Sequence, residues 1–75
     1  MIDITREVQD GFVNETCPYP RGGTRANAWS FGQTLAGYKH PMPRKVLVDS
    51  RRNIFSDGRR WRLDPILNKF VHVPE

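Results

Sequence analysis

The sequence has one cysteine, no internal repeat and no apolar run near the roughly 20 residues that cross a bilayer. A lone Cys17 cannot form an intramolecular disulfide, and small secreted domains usually carry several, so a reducing cytoplasm is the expected location. The segment 1–5 lacks the basic start and apolar stretch of a signal peptide. We therefore expect a cytoplasmic protein with no membrane partner.

The chain has 75 residues, enough for one domain that buries about 60% of the surface its unfolded chain exposes. With 37% apolar residues the margin of stability is narrow, and a bound partner could add to it. We predict a single domain over 1–75, with a helical half at 1–40 and a β half at 44–74.

Acidic residues are scarce after position 20. The segment 1–20 has one basic and four acidic side chains, whereas 21–75 has eleven basic and four acidic ones, a net charge of +7. Such a surface attracts a polyanion at a salt-sensitive rate. The alternative is that the positive charge only keeps a small protein soluble.

Two helices are predicted in the first half. The first has apolar residues spaced four apart, at Ile4, Val8 and Phe12. It should span about 4–14, with Asp3 or Thr5 as its cap and Gly11 weakening its end. The second should start after an N-cap at Thr24 and run over 25–38.

The second helix has apolar positions three and four residues apart, at Ala28, Phe31, Leu35 and Tyr38. A second stripe beside it contains Trp29, Gly32 and Ala36. Gly32 would allow a close approach of another helix. These aromatic residues could form an exposed docking stripe, but core positions are favoured, with Tyr19 and Tyr38 nearest the surface.

After Pro43 the sequence changes to short β-type runs, which are Lys45–Val48, Asn53–Phe55, Arg60–Leu63 and Phe70–Val73. Asp57-Gly58 predicts a hairpin turn, and Asp64-Pro65 predicts a second turn. Alternation in the third run places Trp61 and Leu63 toward the core. The predicted fold class is α+β, with two short helices packed on an antiparallel sheet of three to four strands.

Five arginines lie within twelve residues around the hairpin: Arg51, Arg52, Arg59, Arg60 and Arg62. Guanidinium groups bind phosphate oxygens bidentately, and exposed aromatic rings such as Phe55 or Trp61 stack on unpaired bases. This is the best candidate for nucleic-acid contact. The alternatives are a solvated basic face around a buried Trp61 and an acidic protein partner.

The segment Arg21–Arg25 leads into the second helix, whose N-terminal amide groups favour an anion. Arg21, Arg25 and the nearby Tyr19 therefore join the candidate contact residues. The spacing is not that of a nucleotide-binding loop. An ordinary glycine turn capped by Thr24 is the favoured alternative.

No set of acid, base and nucleophile can be assembled, so we expect a protein that is not an enzyme and that needs no cofactor. Cys17, His40 and His72 lack the spacing of a zinc site. We predict a packed Cys17 and two surface or edge-strand histidines.

The helical half contains Gly11-Phe12, Cys17-Pro18-Tyr19, Arg25, and Trp29 with Gly32 and Ala36. In these residues it resembles the ribosome modulation factor family of small bacterial proteins. The resemblance covers residues 8–38, and the segment after Pro43 has no counterpart in short family members. What it implies is a protein that binds small-subunit ribosomal RNA and damps translation.

We therefore expect a modulator that binds ribosomal RNA or the small ribosomal subunit through its arginines and represses translation. The alternative is a phage-type accessory protein that inhibits a host nucleic-acid-processing complex by direct protein contact. The acidic first helix or the basic hairpin would then be the interface.

Overall fold

The computed structural model describes residues 1–74, which form an α+β fold, as predicted. In chain order its elements are β1 (Ile2–Asp3), α1 (Thr5–Val13), α2 (Thr24–Gly37), β2 (Val46–Val48), β3 (Ile54–Ser56), β4 (Arg59–Asp64) and β5 (Lys69–His72). The predicted helices lie within one to two residues of these bounds. Gly23 rather than Thr24 is the N-cap of α2, and it provides no side-chain cap.

All five strands form one antiparallel sheet in which strand order follows chain order. The sequence predicts only three to four strands, because β1 has two residues and no alternation of its own. Ile2 pairs with Val48, and the amide of Ile4 donates to the carbonyl oxygen of Val46 at 3.0 Å. The start of the chain is thereby joined to the first strand of the β half.

The helices lie on one face of the sheet. The buried core residues of the sheet all project from that face, and they are Val46, Val48, Ile54, Trp61 and Phe70. Phe31 of α2 contacts Trp61 and Phe70 edge-on, with ring centroids 5.5 and 5.3 Å apart. Because no helix or strand of residues 1–74 covers the opposite face, we call that surface the outer face.

The two helices cross at a pair of glycines. Gly11 and Gly32 are both buried, and a Cβ at either position would overlap a carbonyl oxygen of the facing helix, that of Trp29 or of Val8. The close approach predicted at Gly32 is confirmed. The helix α1 continues past Gly11 to Val13, and the Gly11 carbonyl oxygen accepts a hydrogen bond from the Gln33 side chain at 2.5 Å.

Both predicted turns in the β half are confirmed. Asp57 and Gly58 have φ values of 49° and 84°, as a tight hairpin between β3 and β4 requires. The Asp64 carboxylate accepts the amides of Ile66 at 2.9 Å and Leu67 at 3.1 Å, which fixes the β4–β5 turn. Trp61 is buried as predicted, but Leu63 is 40% exposed because neither helix covers the end of β4.

Candidate nucleic-acid interface

Arginine and apolar side chains share the outer face. Arg60 lies opposite Phe55 in the β3–β4 pairing, and Phe55 in turn lies opposite Leu47. Arg62 projects from the same face two residues along β4, opposite Val71. Both arginines are exposed, and the three apolar side chains are partly exposed. The outer face therefore combines an aromatic ring with two cations on a flat backbone surface.

The outer-face arginines have no ion-pair partner. Within residues 1–74 the ion pairs are Lys45 with Asp3 at 2.6 Å and Arg25 with Glu7 at 3.8 Å. Arg60 and Arg62 are therefore open to an external anion. Arg25 is exposed on the first turn of α2, and its guanidinium lies beside an acidic side chain of this chain, which weakens its case as a phosphate contact.

The structure separates Arg59 from its neighbours. Because side chains alternate along a strand, Arg59 projects from the helix-bearing face rather than from the outer face. There it lines a small cleft together with His40 and Trp61. Arg59 therefore does not share a surface with Arg60 and Arg62, although it is next to Arg60 in the sequence.

Arg51 and Arg52 lie in the β2–β3 loop, at the end of the sheet. The Asp49 carboxylate holds this loop by accepting the amides of Arg51 at 2.9 Å and Asn53 at 2.8 Å. Arg52 has φ 65°, a left-handed conformation that costs a non-glycine residue about 1 kcal/mol. The loop presents both side chains to solvent, beyond the edge of the outer face.

Two other predicted contact residues lie in the connection between the helices. Arg21 is exposed in the turn before α2, and Tyr19 is partly buried. The packed position predicted for Cys17 is wrong: the residue is exposed, and its thiol donates to the carbonyl oxygen of Tyr19 at 3.6 Å.

The histidines lie on either side of Trp61, with ring centroids 5.7 Å (His40) and 5.3 Å (His72) from the indole. His72 is exposed on the edge strand β5, which confirms its prediction, and His40 is partly buried in the loop after α2. Among residues 1–74 no three histidine, cysteine or acidic side chains form a group able to hold a metal ion.

Sequence reasoning missed the apolar part of the outer face, namely Leu47 and Val71. Leu47 lies between the buried Val46 and Val48, and Val71 follows the buried Phe70, so alternation in each strand was the available signal. Alternation alone does not show which face of the sheet the helices leave uncovered, because that depends on where α1 and α2 pack.

Hydrogen bonds to three aspartates predict sensitivity to acid. The Lys45 ammonium, with Thr5, lowers the pKa of Asp3 from its ordinary 3.8. The side-chain amide of Asn53 lowers the pKa of Asp49, and the backbone amides of Leu67 and Ile66 lower that of Asp64.

Because each pKa is lower in the folded chain, these bonds stabilise it above the ordinary pKa and are lost as pH falls through the lowered values. We expect the thermal midpoint to drop below about pH 4, with a smaller drop for Asp49→Asn. Thermal unfolding followed by circular dichroism over a pH series would measure this drop in the midpoint. A midpoint that stays constant down to about pH 2 would contradict the assignment.

Comparisons with known proteins give no relative. No family model matches the chain, and neither the curated proteins nor the solved structures contain a match. The resemblance to the ribosome modulation factor family stays a prediction based on the residues quoted above. No helix within residues 1–74 has the length and apolar character needed to cross a membrane.

Proposed function

We propose that this protein is a non-enzymatic modulator that binds a single-stranded region of ribosomal RNA on its outer face and represses translation. The observation that carries the proposal is the pairing of Phe55 with Arg60 on a sheet surface that no helix covers. A cytoplasmic location follows from this role, since ribosomes are its site of action.

The geometry suits an unpaired strand. A base can stack on the partly exposed Phe55 ring while Arg60 and Arg62 contact the phosphates on either side. Base stacking on an aromatic side chain contributes about 1–3 kcal/mol per base. A duplex hides its base faces, so the same surface would bind it through charge alone.

The charge distribution supports a polyanionic partner. Residues 21–75 carry eleven basic and four acidic side chains. The Asp49 carboxylate accepts backbone amides of its own loop, and the Asp57 carboxylate accepts the amides of Arg44 and Lys45, so both are engaged by backbone donors. The action on translation is taken from the resemblance of residues 8–38 to the ribosome modulation factor family.

Sedimentation of the full chain with bacterial ribosomal subunits tests the ribosomal part of the proposal. We expect the protein to migrate with the small subunit at moderate salt and to be released by ribonuclease. If it migrates alone, or with a protein complex that ribonuclease leaves intact, the proposal is wrong and the protein-contact inhibitor becomes the better hypothesis.

Phe55→Ala tests the stacking contact. We expect it to weaken binding to a single-stranded RNA oligonucleotide by about tenfold, measured by fluorescence anisotropy, and to leave binding to an RNA duplex nearly unchanged. Leu47→Ala is the matched control because it removes a neighbouring apolar side chain that has no aromatic ring. An equal loss with both variants would indicate general damage to the sheet rather than stacking.

A further inference from the structure

A second candidate binding surface lies on the helix-bearing face of the sheet, away from the cleft that Arg59 lines. A cleft of about 250 Å³ opens between the first turn of α2 and the end of the sheet. Its floor is formed by apolar side chains that include Ile54, Leu63 and Phe70, and its rim includes Thr24 and Arg52. No residue of the outer face lines it.

Apolar side chains extend this surface beyond the cleft. Ile2 and Leu63, both in the cleft wall, are 60% and 40% exposed. The turn that follows Leu63 presents Ile66 at 91% and Leu67 at 57% exposure. Because the Asp64 carboxylate accepts hydrogen bonds from both amides, the backbone that carries these two side chains is fixed before any partner binds.

The rim of the cleft is positively charged. Arg52 lines it, Arg51 is next in the loop, and Arg21 precedes Gly22 in the opposite wall. None of the three forms an ion pair within the described chain. The acidic side chain at the rim, Asp49, accepts three hydrogen bonds from its own loop, at 2.8, 2.9 and 3.1 Å, so its charge is directed into the turn.

We infer that this cleft binds an acidic amphipathic segment of a protein partner, with an aliphatic side chain in the cleft and carboxylates against Arg52 and Arg51. Charge complementarity selects the acidic segment, because Arg52 lines the cleft and Arg51 and Arg21 are adjacent in sequence to lining residues. The apolar floor of the cleft favours a protein segment over a nucleic acid as the ligand. Its apolar lining consists of branched aliphatic side chains with Ala28 and Phe70, and this one aromatic ring is 6% exposed and packs against Phe31, so it offers no open face for a base.

The backbone at Arg52 supports a role for its side chain. Glycine or asparagine would adopt φ 65° at lower cost than arginine, so this position keeps a charged side chain in an unfavourable conformation. The interaction is independent of the proposed RNA contact, which lies on the opposite face of the sheet. One molecule could therefore bind both partners at the same time.

The test uses the full chain and a synthetic amphipathic peptide with leucines on one helical face and glutamates on the other. We expect saturable changes in amide NMR shifts at Val48, Arg52 and Leu63, and no saturable changes with the same peptide carrying lysines. Arg52→Gly should weaken binding by about tenfold while the fold is kept, because glycine relieves the left-handed conformation. Arg60→Glu/Arg62→Glu is the control and should leave peptide binding nearly unchanged.

Three results would overturn the inference. The first is the absence of saturable shifts with the acidic peptide. The second is displacement of the peptide from the cleft residues by a single-stranded RNA oligonucleotide, which would make the cleft a nucleic-acid site. The third is a concentration-dependent shift at the same residues without peptide, which would show that a second copy of the chain fills the cleft.

Discussion

Gly32→Ala is expected to remove a large part of the protein's stability. The added methyl group would overlap the backbone of α1 at the carbonyl oxygen of Val8, and a backbone atom has no rotamer by which to move away. The helices must separate, which loosens the contacts of Val8 and Phe31 in the core. Overpacking costs typically about 1–3 kcal/mol, and we expect the upper end here because the contact is with backbone. For a domain of this size that is a large share of the total stability.

Gly37→Ala is the matched control for this prediction. Gly37 also lies in α2, but no atom would lie within 4 Å of a Cβ there. Alanine should stabilise the helix by about 0.5–1 kcal/mol because it loses less backbone entropy than glycine. Urea unfolding of both variants measures the difference. Equal midpoints for Gly32→Ala and the unchanged protein would show that the helices do not meet at this glycine.

Arg60→Glu/Arg62→Glu is expected to abolish most RNA binding without changing the fold. Both side chains are exposed on the outer face and form no ion pair within residues 1–74, so reversing them breaks no salt bridge and removes only the electrostatic attraction of Arg62 to Asp64. We expect affinity for a single-stranded RNA oligonucleotide to fall by at least about tenfold at moderate salt. The slope of log affinity against log salt should flatten by about two units, since two phosphate contacts are lost.

The control for this experiment carries the same change of charge elsewhere. Arg6 and Arg44 are exposed and lie outside the β4 strand, so Arg6→Glu/Arg44→Glu lowers the net charge equally. A loss of affinity as large as that of the β4 variant would mean that RNA responds only to total charge. Full affinity in the β4 variant, with an unchanged circular dichroism spectrum, would exclude the outer face as the RNA site.

Much of the fold could be predicted from local pattern. The spacing of Ala28, Phe31 and Leu35 gave α2 nearly to the residue, because a single buried face repeats regularly along it. The turn at Asp57-Gly58 was equally clear, since the pair suits positive φ. β1 was missed for the opposite reason. It is a strand only because Val48 and Leu47 lie beside it, far along the chain.

The candidate site was predicted as one arginine cluster, and the structure divides it. Nearness in sequence placed Arg59 with Arg60, but adjacent strand residues project from opposite faces. Arg51 and Arg52 are separated from both by the loop that Asp49 holds. Such a division needs the sheet register and the position of the helices, and neither is contained in the spacing of basic residues.

The helix crossing also explains what the residues shared with the ribosome modulation factor family do in this fold. Of the residues on which it rests, Gly11 and Gly32 form the close contact between α1 and α2, and the backbone of Trp29 lies against Gly11. These positions are required for packing a helical hairpin. The resemblance therefore bears most directly on the helical half, whereas the RNA proposal depends on side chains in the β half.

The position of β1 has a consequence for the order in which the chain folds. Strands β2 to β5 pair in sequence order through short turns, and α1 and α2 pack as neighbours, so each half depends mainly on local contacts. Ile2 and Asp3 are synthesised before both helices, but their pairing partners in β2 are synthesised after them. The residues of β1 therefore wait for β2 before they are fixed, and their pairing closes the sheet edge only once the β half has begun to form.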